Sequence, residues 1–167
     1  PASTEWMSDA LAAYDSAKSI APDSSKIIIY AMSIGGFPAG EMMAKRDSCA
    51  NFFEAAVISI TEKIEDNMTI SLPGGILTSG VLETDVKLAN TTTPALIMHG
   101  TEDDRISLRS ARSFYNGLPD SIEKKLVEFE GAGHGLGGIG GVPDASYEKY
   151  RDTMINFLRE SAPACLE

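Results

Sequence analysis

The chain of 167 residues is long enough to bury the core of one domain, and its contents of hydrophobic residues (43%) and charged residues (23%) are typical of a soluble globular protein. Its formal net charge of -10 and the lack of a basic run argue against nucleic acid as a partner, because an acidic surface repels phosphate backbones. No apolar run approaches the roughly 20 residues that a helix needs to cross a bilayer, so no membrane span is predicted.

Helix-like and strand-like segments alternate along the chain, which favours an α/β fold: a parallel sheet with helices on both faces. We treat residues 1–167 as one domain. Residues 61–90 form an irregular excursion, either a lid over a site or an ordinary surface connection. Periodicity and turn residues predict, in chain order, a helix over 3–20, a strand over 27–30, a helix to about 46, strands over 55–60 and 94–99, a helix over 107–116, a strand over 125–129 and a helix over about 144–160.

A serine stands at the predicted turn between the first strand and the second helix. The Ile-rich strand breaks off at Ala31-Met32-Ser33-Ile34-Gly35-Gly36, and residues of good helix propensity follow. Small residues two before and two after Ser33, namely Ala31 and Gly35, would let the strand and the helix approach each other. This turn resembles the nucleophile elbow of the α/β-hydrolase superfamily, G-x-S-x-G, with alanine in place of the first glycine.

Two further motifs follow later predicted strands, and they make the resemblance more specific. Asp103 comes four residues after the histidine of His99-Gly100, and His134 lies in a glycine-rich loop over 131–141. This chain order of serine, acid and histidine resembles the dienelactone hydrolase, carboxylesterase and prolyl-peptidase branches of the superfamily. The match runs from the first helix to the last and implies an α/β-hydrolase catalytic domain in its carboxyl-terminal portion.

The resemblance also implies a role for each residue. Ser33 would be the nucleophile, His134 the base that takes its proton, and Asp103 the carboxylate that orients the base, with Asp104 as the alternative acid. His99, at the end of a buried strand, would be structural. The backbone N–H of Ile34 would be the first oxyanion donor, whereas the second normally comes from a loop that precedes everything in this chain.

We therefore expect a serine hydrolase that cleaves small-molecule carboxylic esters through an acyl-enzyme intermediate, without a metal or an organic cofactor. Thioesterase or peptidase activity is an alternative with the same triad, and a non-catalytic hydrolase-fold binding protein is an alternative of a different class. A glycine pattern over 133–138 fits a dinucleotide fingerprint, but the expected helix does not follow it, and no later strand completes the unit.

The first strand raises a question about folding. Its composition is that of a strand buried on both faces, yet only one helix precedes it in the chain. Since the nucleophile strand is central in the full hydrolase fold, we expect an amino-terminal segment, on another chain or removed by processing, to supply the remaining strands and the second oxyanion donor.

The cysteines and the compartment stay open at this point. Cys49 and Cys165 lack the C-x-x-C spacing of zinc sites, and they are either a disulfide or two free thiols. Two N-x-[ST] triplets, at Asn67 and Asn90, suit a secreted protein but also arise by chance.

Overall fold

The computed structural model describes residues 2–21, 23, 26–60, 82–135, 141–142 and 147–167. Short 3-10 turns at Ser33–Gly35 and Pro163–Cys165 supplement the regular elements. None of the described helices combines the length and the apolar character needed to cross a membrane. The helices and strands, in chain order, are α1 (Ala2–Ile20), β1 (Ile28–Met32), α2 (Gly36–Lys45), β2 (Ala50–Glu54), α3 (Thr84–Leu88), β3 (Ala95–Gly100), α4 (Leu108–Gly117), β4 (Lys124–Phe129) and α5 (Tyr147–Ser161).

The four strands form one parallel sheet in the order β1-β2-β3-β4, which confirms the predicted fold class. Helices separate the strands in sequence, as parallel pairing requires. Because all four strands run the same way, the segments that follow them begin at the same edge of the sheet. Those segments contain Ser33, Asp103 and His134, so the sheet brings the three predicted site residues to one edge.

Alternate residues of each strand face two separate cores. On one face Ile29, Phe53 and Ile97 pack with apolar side chains of α1, α2 and α4. On the other face Phe52 and Leu96 pack with side chains of α5. This alternation is the two-residue period of a strand, and it places helices on both faces of the sheet, as predicted.

The strand predicted over 55–60 is wrong: β2 is Ala50–Glu54, and the apolar residues after it form a loop. Ala55 ends the strand because its backbone enters the left-handed region, with φ of 43°. These residues are buried outside the four-stranded sheet: Val57 packs against the turn that contains Ser33, and Ser59 forms an isolated bridge with Glu83. Of the excursion predicted over 61–90, residues 61–81 lie outside the described residues.

The disulfide alternative is the one that the structure shows. The sulfur atoms of Cys49 and Cys165 are bonded, with Cα atoms 5.6 Å apart. Cys49 immediately precedes β2, and Cys165 lies beyond α5, so the bond ties the end of the chain to the sheet.

Candidate active site

Ser33 occupies a sharp turn between β1 and α2. Its φ of 51° lies in the left-handed region, which is uncommon for a residue with a side chain and is concentrated at functional turns. The Ser33 main-chain oxygen accepts a hydrogen bond from the N–H of Val57 at 2.8 Å, and the residue is only 9% exposed. The turn therefore presents the hydroxyl from a backbone that neighbouring structure holds in place.

We predicted that Gly35 would allow the strand and the helix around Ser33 to approach each other. In the structure the neighbouring backbone is close to Gly36 and not to Gly35. A Cβ atom built on Gly35 would meet nothing within 4 Å, whereas one on Gly36 would lie 2.2 Å from the main-chain oxygen of Val57. The segment after β2, which the sequence did not reveal as a neighbour of the elbow, is what crowds the start of α2. Ala31, the other small residue of the pattern, is 1% exposed and lies in the core.

His134 lies between Ser33 and Asp103. Its Nε2 is 2.8 Å from the Ser33 Oγ, and its Nδ1 is 2.8 Å from the Asp103 Oδ2. An ionised carboxylate can only accept, so Nδ1 carries the ring proton and the lone pair of Nε2 faces the serine hydroxyl. In this arrangement the hydroxyl of Ser33 donates to His134, as a serine that transfers its proton must.

Asp103 is held by hydrogen bonds at both carboxylate oxygens. Oδ1 accepts from the N–H groups of Arg105 and Ile106 at 2.9 and 2.8 Å, while Oδ2 faces His134. Burial would raise the pKa of Asp103, but the hydrogen bonds from His134, Ile106 and Arg105 outweigh it and hold the pKa below its ordinary value. Asp104, the alternative acid, is exposed. Of the two adjacent acids, Asp103 is thus the one that faces the histidine.

His99 lies at the end of β3 and is 1% exposed. Its Nε2 donates to the main-chain oxygen of Ile106 at 2.9 Å and lies 3.5 Å from the Asp103 Oδ2. Burial lowers the pKa of His99, so the imidazole is neutral near pH 7 and Nε2 carries its single proton. This histidine contacts the loop that carries the acid, whereas His134 contacts the serine.

The predicted oxyanion donor, the N–H of Ile34, belongs to the 3-10 turn Ser33–Gly35 that leads directly into α2.

The glycine-rich loop around His134 contains two glycines with positive φ, Gly131 at 72° and Gly135 at 77°. Residues 136–140 of that loop lie outside the described residues, and with them the second half of the dinucleotide-like pattern over 133–138.

One polar cluster at the same sheet edge was missed by sequence analysis. Glu54, the last residue of β2, is 2% exposed, and its Oε2 accepts hydrogen bonds from the hydroxyls of Tyr30 and Tyr150. The two hydroxyls are 2.8 Å apart. Burial, more than hydrogen bonding, raises the pKa of both tyrosines. In the sequence, the only indication of this cluster was Glu54 directly after Phe52 and Phe53, a charged residue at the end of an apolar run.

Comparison with known proteins gives a consistent result. The chain is 28% identical over 137 residues to the alpha/beta hydrolase domain-containing protein aho-3 of Caenorhabditis elegans, and the match covers 80% of this chain and 39% of that protein. The chain therefore spans about two fifths of the length of that relative. No family model matches the chain.

Solved structures with the same fold include hydrolases of two kinds. An acylaminoacyl peptidase of Pyrococcus horikoshii superposes with a TM-score of 0.72 at 21% identity, covering 93% of this chain and 28% of that one. Esterase 2 of Thermogutta terrifontis, in a form phosphoramylated by tabun, superposes with a TM-score of 0.72 at 21% identity, covering 92% of this chain and 63% of that one. The parallel sheet, the sequence relative and these structural neighbours agree, and they show that the chain has the α/β-hydrolase fold.

Proposed function

We propose that this chain carries the catalytic triad of a serine hydrolase, in which Ser33 is the nucleophile, His134 the general base and Asp103 the orienting acid. The observation that carries the proposal is the continuous chain of contacts from Ser33 Oγ through both ring nitrogens of His134 to the Asp103 carboxylate. Each of its two contacts is 2.8 Å long. Ser33 lies in a left-handed turn and donates to the buried imidazole of His134, which Asp103 orients. A structural role alone does not explain this combination.

The proposed reaction proceeds through an acyl-serine intermediate. The Ser33 oxygen attacks the ester carbonyl carbon while its proton passes to Nε2 of His134, and the carbonyl oxygen becomes an oxyanion facing the N–H of Ile34. The intermediate then collapses to an acyl-serine as His134 returns the proton to the departing alkoxide. Water, deprotonated by the same imidazole, then attacks the acyl carbon. The bond from that carbon to the Ser33 oxygen breaks, His134 returns the proton to this oxygen, and the carboxylic acid leaves.

Carboxylic esters of small molecules are the proposed substrates. The esterase among the structural neighbours supports this choice, and the acylaminoacyl peptidase supports peptidase activity as the alternative with the same triad. Thioester cleavage would follow the same steps.

We further propose that an amino-terminal segment, on another chain or removed by processing, pairs with the open edge of β1. Within the described residues β1 pairs with β2 alone, and Tyr30 on that strand is 41% exposed. An apolar groove of about 200 Å³ lies between α1 and this strand. Open, uncharged strand edges promote aggregation, and natural proteins usually cover them.

Size-exclusion chromatography and native mass spectrometry of the chain alone test this second proposal. We expect the chain alone to associate through this edge and to keep a reduced but measurable turnover, because the proposed triad lies within the chain. A fully active monomer of 17.8 kDa that unfolds cooperatively would contradict it.

The disulfide supports an oxidising compartment, and we propose secretion as the explanation, because such bonds are rare in reducing cell interiors. Trapping of thiols with an alkylating agent in cells that make the protein would test this: a protein that carries two labels in its native compartment would contradict the proposal.

The catalytic proposal is tested by hydrolysis of p-nitrophenyl acetate by the wild type and by Ser33→Ala. Ser8→Ala is the matched control, because the Ser8 hydroxyl is exposed on α1 and bonds only locally, to the main-chain oxygen of Glu5. We expect turnover by the wild type and the Ser8 variant and none above background with Ser33→Ala. Equal turnover by all three would refute the nucleophile, and a wild type without any activity would favour the non-catalytic binding protein.

A further inference from the structure

The main chain of Ile106 is hydrogen-bonded on both sides by residues around the proposed acid. Its N–H donates to the Asp103 Oδ1 at 2.8 Å, and its carbonyl oxygen accepts from the His99 Nε2 at 2.9 Å. The Ile106 side chain is 2% exposed and packs in a core cluster with Phe37 and Val57. The main chain of Ile106 therefore connects the His99 ring to the Asp103 carboxylate, and these two hydrogen bonds hold the loop after β3.

His99 is a rigid anchor for this loop. It lies in β3, pairs in register with Glu128 on β4, and is 1% exposed, so its ring has little freedom to move. The carbonyl oxygen of Ile106 can only accept a hydrogen bond, so Nε2 of His99 must donate. The same N–H lies 3.5 Å from the Asp103 oxygen that faces His134, where its dipole favours the negative charge of that oxygen.

We propose that His99 is a positioning residue for the triad: by holding Ile106, it fixes the loop over 101–106 so that Asp103 presents Oδ2 to His134. This inference rests on the proposed function. It goes beyond the structural role expected from the sequence because it assigns His99 an effect on turnover that is separate from its effect on stability.

The physical reason is the short chain of contacts between the two residues. Without a donor at position 99, the Ile106 carbonyl loses its buried partner, and the neighbouring N–H of Ile106 no longer has a fixed direction. The Asp103 carboxylate, which depends on that N–H, can then rotate away from His134. Because Ile106 and Asp103 would not contact the substrate, the loss should fall on kcat and not on KM.

Four variants test the proposal. His99→Gln keeps an amide N–H at the position of Nε2, whereas His99→Leu removes the donor and His99→Asn is too short to reach Ile106. Asn51→Leu is the matched control, since Asn51 is 1% exposed but lies in the amino-terminal half of β2, away from the triad. Thermal unfolding gives the stability of each variant, and a fluorophosphonate probe counts the active serines.

We expect His99→Leu and His99→Asn to lower kcat per labelled serine by about 10- to 100-fold with little change in KM, because small displacements of catalytic groups have effects of that size. His99→Gln should retain most of the wild-type kcat, and Asn51→Leu should lower the melting temperature without lowering kcat. If His99→Leu does not fold, the kcat values of His99→Gln and His99→Asn alone test the positioning role of His99.

Equal kcat values for the Gln and Asn variants, or a kcat of the Leu variant equal to that of the Asn51 control, would overturn the positioning role and leave the proposed triad standing. A wild-type protein that takes up no probe would instead refute the proposed function itself, so the two failures are distinguishable.

Discussion

The main-chain oxygen of Ser33 accepts a hydrogen bond from the N–H of Val57, 2.8 Å away, and this bond joins the nucleophile turn to the loop after β2. The same loop places the Val57 oxygen where a side chain at Gly36 would have to lie. Ser33 keeps its φ of 51° in this setting because the turn is confined by a neighbour that is distant in sequence.

This confinement predicts different effects of alanine at two adjacent glycines. Gly36→Ala should lower the free energy of unfolding by about 1 to 3 kcal/mol, the usual range for overpacking, because its Cβ would lie 2.2 Å from the Val57 oxygen. Gly35→Ala should be neutral or slightly stabilising, since its φ is -59° and its Cβ would meet open space. Urea denaturation measures both. A Gly35 variant that is the less stable of the two would contradict the close packing of Gly36 against Val57.

Asp103→Asn should lower kcat by about 10⁴-fold, the size of loss seen when a triad loses its carboxylate, because the amide would favour the wrong tautomer of His134. Asp104→Asn is the matched control, with an exposed side chain one residue away, and should change kcat only slightly. Since the pKa of Asp103 is held below its ordinary value, the carboxylate is ionised near neutral pH and should not limit activity there. Steady-state kinetics on an ester would assign the acid to Asp104 if the ranking were reversed.

The part of the fold that local patterns describe could be predicted from the sequence. An Ile-rich strand that stops at small residues predicts a strand, a turn and a helix, and the structure has β1, the turn at Ser33 and α2 in that order. The chain order of Ser33, Asp103 and His134 could likewise be compared with a known family. What the sequence left open was which of two adjacent acids faces His134, because that depends on the loop that Ile106 closes.

β2 could not be predicted because it contains two buried polar residues, one of which is paired only with residues far away in sequence. Asn51 accepts from the nearby Ser48 hydroxyl, but Glu54 depends on Tyr30 and Tyr150 from other elements. The apolar residues that follow looked like a strand, yet they are buried by packing against the nucleophile turn.

The pairing of Cys49 with Cys165 could not be predicted either, because Cys165 lies near Cys49 only in the folded protein.

The tyrosine cluster predicts a loss of stability at high pH. The folded protein holds the protons of Tyr30 and Tyr150 more tightly than the unfolded chain does, because their pKa values are raised. Their stabilising contribution is therefore fully present below about pH 10, where unfolded tyrosines titrate, and is lost as the pH rises toward the raised values.

Urea denaturation between about pH 8 and about pH 11 measures this effect. The double variant Tyr30→Phe/Tyr150→Phe should be less stable than the wild type near neutral pH but should lose less stability on going to high pH. Tyr147→Phe, whose side chain is 65% exposed, controls for the loss of a hydroxyl in solvent. If the free energy of unfolding of the wild type and of the double variant depended on pH in the same way, the proposed contribution of Tyr30 and Tyr150 would be wrong.

The Cys49–Cys165 bond predicts the outcome of alkylation. Intact mass after treatment with an alkylating agent should show no added label without reductant and two labels after reduction and unfolding. The double variant Cys49→Ala/Cys165→Ala should lose roughly 2 to 5 kcal/mol of stability, because the bond closes a long loop in the unfolded chain. Two labels on the protein without reductant would rule the disulfide out.

The measurement that tests the central claim most directly is labelling by a fluorophosphonate probe, followed by peptide mass spectrometry to locate the adduct. Only a serine activated by a neighbouring base reacts at an appreciable rate. We predict one adduct per chain, on Ser33, with labelling abolished in Ser33→Ala and strongly slowed in His134→Ala, while Ser8→Ala labels like the wild type. A folded wild type that takes up no probe, or an adduct on any residue other than Ser33, would contradict the account.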